Sequence, residues 1–469
     1  MNSQKFYSTL RACLAALLLT VTLGVGAAPV AQAIWCSGNT TLYFTHDELY
    51  AVGNEYKGQT ITTVWSGDKV TATTYQPDWD FDSSVRGNCT HVVFDPSFAN
   101  VRPVSCIDWF LDFTKLTAIE GLTNLNTSEV TSMYDMFANC SSLTSIDLSG
   151  FRTAEVTTME GMFYSCDGLT TLDLSTFRTD KVKNMVEMFK DCTSLATIYV
   201  SGGWTTANVT SNSGMFTNCN GTLTTQAPTV VLNDNADNAA DIAYFNGITT
   251  NVRLQNRTLY KDGEWNTLCL PFNVTLSDSP LVGATLKELD ANQSNLAADG
   301  KLTLTFKDAT NIVAGKPYLI KWDKGSSDDI ESPFFDGVTI TSNAPTPVTF
   351  ANALGSDCSF VGQYDPFEIN SSNKNSIVML SSGNRIGYSN NVPRTLRCMR
   401  AHFVIPTTTT APAMTGYAID FDGEASTAMK AIDNGQWVID NVYYDLAGRR
   451  VAQPTKGLYI FNGKKVMIP

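Results

Sequence analysis

The sequence predicts an α/β solenoid of about four 26-residue coils, preceded by a β-rich cap and followed by an all-β, sandwich-like domain and a short C-terminal β module. Three observations carry this. The pair Met-Phe recurs at 136/137, 162/163, 188/189 and 215/216, in steps of 26, 26 and 27 residues. Cys140, Cys166, Cys192 and Cys219 keep the same step, as do Val130, Val156, Val182 and Val209. Beyond Asn251 the pattern changes to short alternating runs separated by turn residues. A catalytic motif occurs once, whereas a phrase restated at a fixed period marks an architectural unit.

Residues 1–33 read as an export leader. Lys5 and Arg11 precede the apolar run "CLAALLLTVTLGVGAA", and Ala31–Ala33 supply a small-residue cleavage pattern. No later stretch approaches ~20 consecutive apolar residues, the length that spans a bilayer. Residues 34–105 alternate polar and β-branched residues, as in "TTLYFT" and "THVVF", and form the expected cap.

Residues 106–226 hold the copies. Val130, Met133, Phe137 and Cys140 fall at i, i+3, i+7 and i+10, the stripe of a short helix. Leu143, Ile146 and Leu148 then write L-x-x-I-x-L, the strand signature of a leucine-rich repeat. Strands are expected at 145–149, 171–175 and 197–201, with helices carrying the Met-Phe pairs packed opposite. The segment "IDWFLDFTKL" reads as a worn end copy, so Phe110 should matter less to stability than Phe163. The recurring Cys lie on buried stripes of elements ~8–10 Å apart. A disulfide needs Cα atoms within ~7 Å, so four reduced thiols are expected. Pairing among Cys36, Cys89, Cys106, Cys269, Cys358 and Cys398 is left open.

Residues 227–250 are expected to form a connecting helix and linker, and 251–430 the sandwich-like domain, with strands such as "KLTLTF", "PYLIKW" and "HFVIP". Residues 431–469 differ again. Arg449, Arg450, Lys456, Lys464 and Lys465 stand there in a chain of formal charge −13 and pI about 4.7.

That acidic balance argues against a nucleic-acid partner. The three His, at 46, 91 and 402, form no metalloprotease or triad pattern, and no phosphate-binding glycine loop occurs. Asp78, Asp80 and Asp82 in "DWDFD" lack the EF-hand spacing, and Asp234, Asp237 and Asp241 read as a solvated face. No catalytic residue, cofactor site or metal site is expected. The outward strand residues Ser145, Asp147, Ser149, Thr171, Asp173, Ser175, Thr197, Tyr199 and Ser201 form a ladder that could bind a partner, with Tyr199 its one aromatic anchor. Trp265 and Trp322 are the next candidates.

The phrase "LDLSTFRTDKVKNMVEMFKDCTSL" resembles the repeat of BspA-like leucine-rich-repeat surface proteins, and "VVFDPSFANVRP" is similar to the segment that introduces it. "RTLYKDGEWNTLCLPFNV" and "AGKPYLIKW" resemble the β-rich region that follows such repeats in exported proteins of Gram-negative anaerobes. The ending "YDLAGRRV…KGLYIFNGKKVMI" resembles a truncated type IX secretion sorting module. The resemblance implies a secreted or surface protein on the outer face of a Gram-negative envelope. It implies non-catalytic, adhesin-type binding of a matrix protein, a glycan or another bacterium's surface. The alternatives are a carbohydrate-active enzyme and a purely structural surface scaffold.

Overall fold

The computed structural model describes residues 30–38, 40–67, 77–79, 82–324, 328–381, 384–389, 391–406, 414–421, 425–430, 443–444, 450–451, 457–461 and 464–468. Most of the expected leader lies outside these residues. The chain forms two compact units, Met1–Gln226 and Ala227–Pro469.

The first unit opens with a six-stranded sheet. Its strands are β1 (Gln32–Cys36), β2 (Thr41–Thr45), β3 (Glu55–Tyr56), β4 (Gln59–Ser66), β5 (His91–Phe94) and β6 (Ala118–Glu120), in the order β3-β4-β1-β2-β5-β6. β1 begins inside the expected leader. Gln32 and Ala33 are fully buried, and the Gln32 carboxamide accepts from the Tyr50 N–H (2.8 Å) and donates to the Tyr50 carbonyl (3.0 Å) and the Ser66 hydroxyl (2.8 Å). β1 thus starts two residues before the expected end of the leader. Under the sheet, Phe44 stacks on Phe94 at 4.5 Å and on Trp109 at 5.6 Å, and Trp79 donates its indole N–H to the Trp109 carbonyl at 2.8 Å.

The copies that follow lie side by side. Parallel bridges join Ser105 to Ser132, Ser132 to Thr158, Thr158 to Asn184 and Asn184 to Ser211. On a second side β7 (Thr171–Leu174), β8 (Thr197–Val200) and β9 (Thr222–Thr225) pair in parallel register. The expected helices are absent. Among the described residues there are two α-helices, α1 (Ser83–Arg86) and α2 (Ala239–Tyr244), both short and both outside the copies. An α/β leucine-rich-repeat solenoid is thus not the fold of this region, which is a β-bridged stack of turns.

The reason lies in the backbone. Asp135 and Asn139 both adopt positive φ (48° and 62°), and the same two places recur at Gly161 and Ser165, Glu187 and Asp191, and Gly214 and Asn218. A left-handed residue at every fourth position cannot continue a right-handed helix. Met133, Asp135, Phe137 and Asn139 instead donate their N–H groups to Thr158, Glu160, Met162 and Tyr164 of the next copy at 2.7–3.1 Å. The intervening residues Met136, Ala138 and Cys140 close tight turns onto Met133, Asp135 and Phe137. The apolar stripe is still buried: Val130, Met133, Phe137 and Cys140 are fully covered. A Cβ at Gly161 would overlap the Asp135 carboxylate, which would then have to move, and glycine takes the positive φ of 62° there without strain.

The expected strand at 145–149 does not form either. That copy offers Ser145, a poor strand former, where its neighbours offer β-branched Thr171 and Thr197.

In the second unit β10 (Thr229–Asn233) and β11 (Thr249–Gln255) are parallel, joined through α2, and β11 pairs antiparallel with Phe334–Thr339. A twelve-stranded sheet includes Asn266–Leu268, Lys301–Ala309, Cys358–Gln363 and Arg400–Val404. The strands Tyr443–Tyr444, Arg450–Val451, Gly457–Phe461 and Lys464–Ile468 form a separate four-stranded antiparallel sheet. No helix among the described residues is long and apolar enough to cross a membrane.

Candidate functional site

Three ladders built into each copy hold the stack rigid. Phe110, Phe137, Phe163, Phe189 and Phe216 stack in sequence with centroids 5.3–6.0 Å apart. Buried Thr127, Thr153 and Thr179 each use one hydroxyl twice. Thr153 donates to the Arg178 carbonyl (2.9 Å) and accepts from the Arg178 N–H (2.8 Å). The thiols of Cys140, Cys166 and Cys192 donate to the carbonyls of Phe110, Phe137 and Phe163 at 2.9–3.2 Å. All ten described cysteines are free, and all but Cys219 are buried. Burial pushes the Cys140 and Cys166 thiols well up and the Cys192 thiol to about 12. Such thiols act as small hydrophobes rather than nucleophiles.

The nine outward residues separate into groups. Ser145, Asp147, Ser149, Thr171 and Asp173 are exposed, and Thr197 and Tyr199 are half-buried. Ser175 and Ser201 are buried, contrary to expectation, because both strands end one residue earlier and the chain turns inward. The turns are made by side chains of the ladder itself. Asp173 Oδ1 accepts from the Ser175 N–H at 2.9 Å, Asp147 Oδ1 from the Ser149 N–H at 3.0 Å, and Ser201 Oγ from the Gly203 N–H at 3.2 Å.

Other sequence candidates are structural. Asp82 caps α1 by accepting from the Ser84 N–H at 2.9 Å, while Asp80 lies outside the described residues. Asp234 is not on a solvated face: it is buried, with Arg400 Nη2 at 2.8 Å and Arg397 at 3.9 Å. Burial raises its pKa even so, against the lowering effect of Arg400. Trp265 and Trp322 are core residues, the first stacked on Phe421 at 4.9 Å and the second donating to the Val282 carbonyl at 3.1 Å. His402 is buried against Phe367, and burial lowers its pKa to about 4. Among the described residues no group of three or more His, Cys, Asp or Glu is placed to hold a metal ion.

Sequence reasoning missed the far end of the stack. Asn212 stands where the three preceding copies place fully buried Met133, Met159 and Met185. Leu223 is in register with buried Ile198 yet is 46% exposed, and Phe216 exposes 36% of its surface beyond Phe189. A cleft of about 480 Å³ opens there, lined by Trp204, Thr206, Asn212, Met215, Phe216 and Leu223 among others. A readable signal marked it. No Asp, Glu, Lys, Arg or His occurs between Asp191 and Asp234, in a chain that is 16% charged.

Residues 105–226 match the family described as "Mycoplasma protein of unknown function, DUF285". The match is confined to the copies, well under half the chain. No curated protein and no solved structure matches. The resemblance to BspA-like leucine-rich-repeat proteins is thereby overturned, together with that to a type IX sorting module. The family matched is a different one, and the phrase that carried the likeness folds as turns without helix.

Proposed function

We propose that this is an exported, non-catalytic binding protein that presents the rigid stack of copies to macromolecules outside the cell, either secreted or at the cell surface. The observation that carries the reading is the exposed row Ser145, Asp147, Thr171 and Asp173, continued by half-buried Tyr199, repeated at the copy spacing on a backbone bonded from copy to copy. Regularly spaced exposed side chains on a stiff scaffold suit recognition of an extended partner. The charged-then-apolar N-terminus supports export. The test is an array of matrix proteins and glycans probed with the full chain, followed by isotherms on variants. Tyr199→Ala should weaken binding more than Ser149→Ala, since aromatic anchors dominate interface energetics. A chain that binds nothing on either array would instead be a structural scaffold.

A further inference from the structure

We infer that the open end of the stack is a binding site for a neutral saccharide, an assignment that rests on the binding function proposed above. Each copy but the last has its core face covered by the next. At the last, Phe216 and Leu223 are left exposed, and Trp204 is half-buried beside them in the same cleft. The volume of about 480 Å³ falls within the ~300–1,000 Å³ typical of small-ligand sites.

The lining selects the ligand chemistry. A pyranose ring has an apolar C–H face, which lies against aromatic rings, and a rim of hydroxyls, which need neutral donors and acceptors. The cleft offers both. Its apolar floor is Phe216, Leu223 and Met215. Thr206 and Asn212 carry side-chain donors and acceptors that make no hydrogen bond among the described residues, while the Trp204 indole N–H is itself buried without a partner. Asn212 matters most. Where a mere continuation of the core would keep methionine, the chain places an exposed carboxamide.

Charge excludes the alternatives. No charged side chain is among the lining residues, and the neighbouring Glu187 carboxylate, close to Gly214, is paired with Lys190 at 2.8 Å. The lining thus supplies neither a cation for a uronate or sulfate nor an unpaired carboxylate for a basic peptide. The chain's net −13 further disfavours a polyanion. A second copy of the chain could also cover the two exposed apolar residues, but it would not use the free hydroxyl and carboxamide groups.

The test is affinity electrophoresis of the full chain through gels containing a mannan, a β-glucan or a galactan, with heparin and polygalacturonate as charged controls. At least one neutral polysaccharide should retard the protein and neither charged one should. Asn212→Ala and Trp204→Ala should weaken retardation at least tenfold, with the melting temperature recorded for each. Asn212 is exposed, so its variant reports on binding even if Trp204→Ala unfolds. Affinity should change less than twofold between 50 and 500 mM salt, because no ion pair is made. Absence of retardation in every neutral gel overturns the assignment, as does full retardation of Asn212→Ala. A concentration-dependent dimer dissolved by Phe216→Ala would show that a second copy fills the cleft, and would also overturn it. The outcomes separate the two claims. Saccharide binding lost in Tyr199→Ala but kept in Asn212→Ala, or capture of a matrix protein alone, would leave the binding function standing without this site.

Discussion

Single residues set the chemistry of this chain by how deeply they are buried. Many cysteines in a chain expected to be exported would ordinarily suggest disulfides, yet each of the ten described ones is a free thiol whose pKa is raised by burial. The native protein should therefore resist alkylation at these positions, apart from slow labelling at half-exposed Cys219. Denatured without reductant, all ten should label, and mass spectrometry that finds linked peptides instead would refute the assignment. Two titrating groups act in opposite senses. Burial raises the pKa of Asp135 to about 6, helped by Asp108, Glu160 and Glu187 and opposed by the Tyr134 hydroxyl. Its folded value exceeds its unfolded one, so its contribution to stability is full below about pH 4 and is lost as pH rises through 6. Asp135→Asn should stabilise the protein at pH 7 and not at pH 3.5, and asparagine also suits the positive φ. His402 has a lowered folded pKa, near 4. The unfolded chain then binds a proton first, and stability falls as pH drops from about 6.5 towards 4. His402→Phe should flatten that slope in denaturation curves taken across this range.

At the scale of the element, the coil shows what periodicity reveals and what it hides. The spacing of Val130, Met133, Phe137 and Cys140 identified residues that are all buried, and the period located every copy. It could not separate a helix from consecutive turns, since both bring i, i+3 and i+7 to one side. The distinguishing signal was the residue type at two further positions. Asp135, Gly161, Glu187 and Gly214, then Asn139, Ser165, Asp191 and Asn218, are mostly Asp, Asn and Gly, the types that tolerate the left-handed region. The ladders also revise which ring matters. Phe110 is fully buried between Phe44, Phe94, Trp109 and Phe137, so the worn end copy is a joint with the cap and not a frayed end. Phe110→Ala and Phe163→Ala should each cost ~3–5 kcal/mol. Phe216→Ala, at the open end, should cost distinctly less, and equal losses at all three would contradict the position of the end. Thr153→Val removes a buried hydroxyl that both donates and accepts between copies, leaving the Arg178 N–H without its partner. A loss of ~1–3 kcal/mol is expected in chemical denaturation.

For the whole molecule, the division into a repeat-bearing unit and a β-rich unit follows from where the 26-residue phrase stops, and that much is readable in the residues. The end cleft was less readable, because it arises from a copy that is missing and not from a motif that is present. Asn212 in a methionine column and the charge-free stretch were its only marks. The start of the fold is hard to read for a related reason: a small-residue cleavage pattern and the first residues of a buried strand can be the same letters. Ala31 and Ala33 suit a leader boundary, yet Ala33 pairs with Phe44 on one side and Trp65 on the other, and Gln32 spans Tyr50 and Ser66. Processing after Ala33 would remove both residues from β1 and leave the Tyr50 N–H without the Gln32 carboxamide. A chain that begins at Val30 should therefore be more stable than one that begins at Ile34, by an amount on the order of the ~1–3 kcal/mol of an unsatisfied buried polar group plus the lost ladder bonds. The measurement is urea denaturation of the two chains side by side, with N-terminal sequencing of the protein isolated from its cell to show which one is made. Equal midpoints would mean that Gln32 and Ala33 add nothing to the sheet, and the fold would then begin at Ile34.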